Sequence, residues 1–433
     1  MRDTTETARS AGMAKRLLSF AGLPFLSMMT PFLILPVLAR VAGPDAWTSI
    51  AVGQSTGAFF ALVVAQGYNL VGPTMVSVTP PAQRAAAFRL SVQSRLIVFA
   101  PMSILSFFVA WAISPEGFRL EGGLMSLAVT ATGLSSAWFM IGLGRPSLIV
   151  LYEIVPKMVA TGIAVVIVVA YVEVIWYPLL LGLSALGSLI LFSRRTVTRV
   201  DMFRFRFVEV RKTLRANRSA LVTEVSGGAY ATLTVAIVTA SALPSQSAAY
   251  VAGDKLYKIG LYAIAAVGNA LQGWVVEPGG RSLARRVSDS IWVHLSLGLL
   301  GLVLFSVLGV PVTGLLFGDA VAIDEPTAVG FGVAVLALSL NTSLGRHALL
   351  AVGARTQVMV SVLVGAVVGV PLIIMLGASH GAAGASWGLA ASESTVVLVQ
   401  LYFVWRRRDM FLDRSANSES GDSTELAVTA DPM

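Results

Sequence analysis

Twelve long apolar runs, each cut off from the next by charges or turn-forming residues, constrain this chain more than any other feature. They fall at roughly 17–41, 46–69, 95–113, 122–141, 147–171, 174–193, 217–240, 247–276, 291–316, 326–347, 356–377 and 382–405. Each is close to the length, about 20 residues, that an α-helix needs to cross the hydrocarbon core of a bilayer. Backbone polar groups in lipid must be satisfied within the protein, which a helix does and an open strand does not. The runs therefore predict an all-α, polytopic membrane protein of 12 transmembrane helices. Composition agrees: 56% of residues are hydrophobic and 12% charged, against about 25% charged in soluble domains. That balance excludes a cytosolic enzyme and a disordered chain. The polar segment 1–16 precedes a run too long to be a signal-peptide core, which spans about 7–15 residues. The first run is expected to be an uncleaved helix.

Charge sets the orientation. With the N-terminus inside and the runs alternating, 26 of the 31 basic residues fall on cytoplasmic segments and two, Arg40 and Arg119, outside. Arg84, Arg89 and Arg95 are assigned to the segment after the second run, and Arg346 and Arg355 flank a later cytoplasmic turn. Nine more lie in or beside the segment 194–216. Basic residues collect on the cytoplasmic side of membrane proteins, so both termini are expected in the cytoplasm, at the cytoplasmic (inner) membrane. The remaining three, Lys157, Lys255 and Lys258, lie within runs, the only basic residues that this reading places there.

The basic segment divides the chain into a cytoplasmic N-terminus (1–16), an N-terminal six-helix bundle (17–193), a basic cytoplasmic linker (194–216), a C-terminal six-helix bundle (217–405) and a disordered cytoplasmic tail (406–433). Adding about 205 to the limits of the first six runs lands near the last six, as 122–141 becomes 327–346. Six spans per half give both halves the same orientation. This predicts a parallel pseudo-two-fold repeat about the membrane normal, an arrangement in which transporters bind substrate between halves.

Charged residues inside apolar runs are costly and mark function or structural pairing. Glu153 and Lys157 stand four apart beside Pro156, the favoured order for an ion pair on one helix face. Asp254 and Lys258 repeat that spacing, while Lys255 points elsewhere. Residues 254, 258, 262, 265, 269 and 272 recur at three- and four-residue steps, so Asp254, Lys258, Tyr262, Asn269 and Gln272 share one side of a helix that should face protein or water. Glu224 and Glu393 are carboxyls in later runs, Glu393 with no charged neighbour along its own run. Arg40 is either a site residue or an interfacial anchor. Lysines near a membrane surface also snorkel, which is the plain alternative for Lys255 and Lys258.

Cysteine is absent, so disulfides, thiolate nucleophiles and Cys-held metals are excluded. His294, His347 and His380 show no ligand spacing. No catalytic residue, metal or cofactor is expected, and the net charge of +8 is read as membrane topology rather than nucleic-acid binding.

Several segments resemble a known family. The run LPVLARVAGPDAW at 35–47 is similar to the end of the first span in bacterial polysaccharide flippases. SAWFMIGLGR at 136–145 resembles their span-four exit. YVAGDK at 250–255, with Pro278 beyond it, resembles their span eight, and GAAGA at 381–385 the start of their last span. Thr48-Ser49 replaces the family's usual glycine near the start of span two. The resemblance covers roughly 17–405 and points to the oligosaccharide-lipid exporters of the multidrug/oligosaccharidyl-lipid/polysaccharide (MOP) superfamily. It implies a flippase that moves a polyprenyl-diphosphate-linked oligosaccharide repeat unit between leaflets by alternating access, working beside other polysaccharide-assembly proteins. Lys157, Lys255, Lys258 and Arg40 would then meet the diphosphate, and Tyr262, Asn269 and Gln272 the sugars. Glu153 and Asp254 would hold the lysines, with Glu224 or Glu393 taking a coupling cation.

Three other readings stay open. A cation-coupled multidrug antiporter of the same superfamily would share the fold. A major-facilitator carrier usually has a Gly-Asp-Arg-Gly-Arg pattern between spans two and three, where this chain reads VSVTPPAQR (76–84). A membrane-embedded polymerase or ligase would carry a large outer loop, and every loop expected outside is short.

Overall fold

The computed structural model describes residues 34–197, 207–276 and 282–407. Most of the first apolar run, the middle of the basic linker, Pro278 and the acidic tail lie outside the described residues. The described residues are almost entirely helical, without strands. They form α1 (Leu35–Val37), α2 (Gly43–Ala65), α3 (Tyr68–Val78), α4 (Pro81–Ile113), α5 (Arg119–Ala131), α6 (Ala137–Gly142), α7 (Pro146–Ile149), α8 (Val155–Tyr171) and α9 (Trp176–Thr196), then α10 (Phe207–Ser241), α11 (Pro244–Val276), α12 (Leu283–Phe317), α13 (Glu325–Thr342) and α14 (Arg355–Arg406). Wider π-helical turns at Leu38–Ala42, Val150–Ile154 and Ser343–Leu349 continue α1, α7 and α13.

Among the described residues, eight helical segments are long and apolar enough to cross a membrane. The chain is a multi-pass membrane protein. One of the eight, α14, is two helices in series: Gly381 breaks it with φ 59° and ψ −135°, a conformation open to glycine and few others. The Gln246 side-chain carbonyl accepts the freed Ala382 N–H at 3.2 Å. The break falls between the two expected runs 356–377 and 382–405. Helix α10 contributes a shorter apolar stretch, Thr232–Ser241, and α11 carries Asp254, Lys255 and Lys258 in its first half. Pro81 opens α4 at its first turn, where a missing N–H costs nothing, and the helix then runs unbroken to Ile113.

The chain divides into two compact units: the residues up to Ala240 with Leu316–Val321, and Ser241–Leu315 with Ala322 onward. The division falls at the end of α10. In the first unit α2 packs tightly on α5. Gly53 and Gly57, four apart, face that helix, and a side chain at either would collide with the Gly122 or Ser126 carbonyl oxygen. Small residues at this spacing let two membrane helices approach closely. An aromatic core of Phe88, Trp138, Phe139 and Phe192 fills the space between α4, α6 and α9. In the second unit α13 packs along α14, and Phe331 of α13 sits against Tyr250 and Tyr257 of α11.

Candidate functional site

The run 122–141 is not one straight helix. After α5 the chain passes through a 3-10 turn, Thr132–Leu134, and two non-helical residues, Ser135 and Ser136, before α6. Such a break in a membrane segment frees backbone groups that need partners. Arg95 supplies donors. Its Nη1 donates to the Gly133 carbonyl at 3.2 Å and to the Ser135 carbonyl at 2.7 Å. Its Nε donates to the Ser91 carbonyl at 3.2 Å, and the guanidinium lies over Tyr68 and Trp138. Arg95 was assigned to a cytoplasmic turn. It is instead 1% exposed, well inside α4, so the three lysines are not the only basic residues within helical spans. The charge count had no means of finding this, because α4 starts 14 residues before the apolar run does.

Glu153 enters the same break from the π-turn before α8. Ser135 Oγ donates to its carboxylate at 2.7 Å, and the Ser136 N–H donates at 2.9 Å. The wider turn and Pro156 set the direction of this segment. Glu153 and Lys157 both line a cavity of about 230 Å³, together with Thr132, Ser136, Ser184 and Ser188. The hydroxyl hydrogens of Thr132, Ser184 and Ser188 go to backbone carbonyls. Their lone pairs are left as acceptors, while Lys157 brings the ammonium donor. Ser136 Oγ is buried with no hydrogen-bond partner. The cavity lining therefore offers hydroxyl acceptors, the Glu153 carboxylate and one ammonium.

The second unit holds the α11 residues. Lys258 Nζ donates to Asp254 Oδ2 at 2.8 Å, the pairing expected from their spacing. Asp254 is 2% and Lys255 7% exposed. Further along the same side, Tyr262 is half-buried, and Asn269 and Gln272 are exposed. The stripe thus runs from a buried end at Asp254 to an open end. Asn269 Oδ1 accepts from Arg346 Nη1. Arg346, expected to flank a cytoplasmic turn, lies in the π-helical continuation of α13, just before the turn at 350–353.

Glu393 is not isolated. Asn341 Nδ2 donates to its carboxylate at 3.2 Å, and Gln400 Nε2 donates to Asn341 Oδ1 at 2.9 Å and to Ser361 Oγ at 3.2 Å. Glu224, in the first unit, accepts from Asn69 at 2.7 Å. Arg40 is exposed, with Nε 3.4 Å from the Leu316 carbonyl, and is not among the residues that line the Glu153 cavity. The candidate residues therefore fall into separate groups. One surrounds Glu153 and Lys157, one follows α11, and Glu393, Glu224 and Arg40 each have their own surroundings. Among the described residues no cluster of three or more metal-ligating side chains occurs.

No protein-family model and no curated protein matches the chain in sequence. Solved structures do match its fold. The lipid II flippase MurJ, in an inward closed conformation, superposes with a TM-score of 0.71 at 13% identity, over 96% of this chain and 93% of that one. An inward-facing multidrug resistance MATE family transporter of the MOP superfamily follows at 0.62 and 11% identity, over 92% and 99%. A eukaryotic MATE transporter gives 0.59 and 14%, over 94% and 98%. At such identities the likeness is one of fold: the chain is folded like MOP-superfamily membrane transporters.

Proposed function

We propose that this chain is a flippase that moves polyprenyl-diphosphate-linked oligosaccharide repeat units across the cytoplasmic membrane by alternating access. In this reading it has 12 spans in two six-helix bundles related by a parallel repeat, with both termini cytoplasmic. The observation that carries the reading is cationic: Lys157 lines a hydroxyl-rich cavity, and Lys255 is buried in α11. A diphosphate gives up its hydration only where cations and donors replace the water. In this proposal Lys157 supplies such a cation in the first unit and Lys255 and Lys258 supply theirs along α11 in the second, with Arg40 a further candidate contact, while Tyr262, Asn269 and Gln272 meet the sugar hydroxyls. Glu153 and Asp254 hold the lysines when no substrate is bound, and Glu224 or Glu393 takes a coupling cation. The prenyl chain stays in lipid. Fold likeness to a lipid II flippase over 96% of the chain supports the substrate class. Other polysaccharide-assembly proteins are the natural partners of such a protein.

The second reading, a cation-coupled multidrug antiporter, is favoured by the MATE likeness and by the buried carboxyl of Glu393. Reconstitution decides between them. Proteoliposomes holding the purified protein receive either a fluorescent polyprenyl-diphosphate oligosaccharide or a cationic dye. Leaflet exchange of the lipid, abolished in Lys157→Gln, is the expected result. Dye transport without lipid exchange overturns the flippase reading.

A further inference from the structure

The fold brings together two histidines that lie 53 residues apart in sequence. His294 of α12 and His347 of the π-helical turn after α13 have ring centroids 5.3 Å apart and are 0% and 1% exposed. Hydrogen-bond partners fix their tautomers. His347 Nε2 faces the Gly268 carbonyl at 3.0 Å. A carbonyl only accepts, so Nε2 carries the hydrogen, and in the neutral ring Nδ1 accepts from Ser290 Oγ. Ser290 in turn receives the Ser343 hydroxyl at 2.9 Å. For His294, the Ser339 hydroxyl donates to the His294 backbone carbonyl at 2.7 Å. Ser339 Oγ is therefore the acceptor for His294 Nδ1–H at 3.1 Å. The neutral His294 ring is left with a lone pair on Nε2, and that atom is buried with no hydrogen-bond partner.

The geometry points to His294 Nε2 as a proton-binding site whose occupation drives α12 apart from α13 and its π-turn. Proton uptake places a second N–H on a ring with no acceptor to receive it. It also places a positive charge beside His347 and Arg346, the groups that act on this ring from the π-turn. Helix α11 contributes the neutral Gly268 carbonyl and Asn269, which holds Arg346. On α12, Arg286 donates to the Trp274 carbonyl, and Asp289 lies on another face of the helix. Helix α14 contributes Glu393, which is turned to Asn341. No carboxylate among these groups is hydrogen-bonded to the dyad, so this packing is that of the deprotonated form. A charged, unpartnered group is not retained in such surroundings. The segment that must yield is π-helical, a geometry that recurs at functional sites. Through Arg346 and Asn269 the rearrangement reaches the open end of the α11 stripe. This inference does not depend on the substrate.

The chain has three histidines and no cysteine, which makes the test clean. Full-length protein with ¹⁵N-labelled histidine, in lipid nanodiscs, is titrated from pH 8.5 to 5 by imidazole nitrogen NMR, with His380→Gln assigning the exposed ring. At the alkaline end His294 should show the Nδ1–H form and His347 the Nε2–H form. In parallel, spin labels on cysteines at the exposed Leu299 and Leu350 report the separation of α12 from the π-turn by pulsed EPR. The label distance should shift with the same midpoint as His294 protonation, persist in His380→Gln, and vanish in His294→Gln, which stays at the alkaline distance. A His294 ring that stays neutral to pH 5, or protonates without a distance change, overturns the proposal. So does an undiminished shift in His294→Gln.

Discussion

Arg95 and Glu153 are joined through one residue: the Arg95 guanidinium donates to the Ser135 carbonyl at 2.7 Å, and the Ser135 hydroxyl donates to the Glu153 carboxylate at 2.7 Å. A buried cation on α4 thereby shapes the helix break that positions a carboxylate beside Lys157. Arg95→Ala removes the donors to Gly133, Ser135 and Ser91 together and empties the space under Tyr68 and Trp138. Loss of a partner from a buried charge network costs about 3–5 kcal/mol. The expected outcome is a clear drop in the melting temperature of the detergent-solubilised protein, followed by size-exclusion fluorescence. Arg95→Lys keeps the charge but not the planar fork, and should fall between Arg95→Ala and the unchanged protein. Equal stability for all three would show that the break holds itself.

Glu153 and Lys157 are expected to separate function from stability. Glu153→Gln retains a carbonyl oxygen for the Ser136 N–H, and Lys157 borders a cavity rather than packed core. Each substitution should change stability by about 0.5–1.5 kcal/mol, the net contribution of a typical hydrogen bond. Lipid exchange in proteoliposomes should nevertheless fall at least tenfold in Lys157→Gln and recover in part in Lys157→Arg. Full exchange by Lys157→Gln would remove this cavity from the transport path.

Much of this was legible in the sequence, and the remainder failed for identifiable reasons. Hydrophobic length marked the helices, because lipid permits little else, and the gap between the runs 356–377 and 382–405 marked the break within α14. The Asp254–Lys258 pair followed from helix spacing alone. Arg95 escaped because it stands at the very edge of the apolar run 95–113, where charge counting places it in the adjoining turn, whereas α4 begins at Pro81 and carries it well inside a helix. Ser135 and Ser136 looked like ordinary small residues; their value lies in a break that only tertiary partners stabilise. The His294–His347 dyad depends on two helices meeting, which no local spacing encodes. Glu393 appeared alone because its partner, Asn341, is 52 residues away.

The contact of α2 with α5 is a second point of vulnerability. Gly57→Leu forces a side chain onto the Ser126 carbonyl, which lies 2.5 Å from where a Cβ would stand. Backbone cannot yield as a flexible side chain can, so overpacking should separate the helices. The measurement is the yield of monodisperse protein after extraction, expected to fall several-fold. An exposed control, Val166→Leu on α8, should leave the yield unchanged.

Orientation is testable because the chain has no native thiol. Gly117, with no atom within 4 Å of a built Cβ, and the exposed Asp319 are expected on the outer side; the exposed Ala216 is expected inside. Single cysteines at the first two should react with an impermeant maleimide in intact cells, and a cysteine at Ala216 only after lysis. Asp319 is a better probe than Gly318, whose φ of +93° would strain a cysteine. Labelling of Ala216→Cys in intact cells would invert the topology.

The Asp254–Lys258 pair makes the sharpest distinction between a structural and a transporting role. Asp254 is 2% exposed and its carboxylate is held by Lys258 at 2.8 Å. Lys258→Gln removes the charge that compensates it, and the stranded carboxylate should cost about 3 kcal/mol, at the low end of the 3–5 kcal/mol measured for broken buried pairs. Asp254→Asn with Lys258→Gln removes both charges, and amide groups can hydrogen-bond across the same i,i+4 spacing. The double variant should therefore regain most of the lost melting temperature, a non-additivity of the kind that double-mutant cycles read. If the pair is structural alone, lipid exchange returns with stability. If Lys258 meets the diphosphate, the double variant is stable and still inactive, and Asp254→Asn alone, which retains the lysine, keeps measurable exchange.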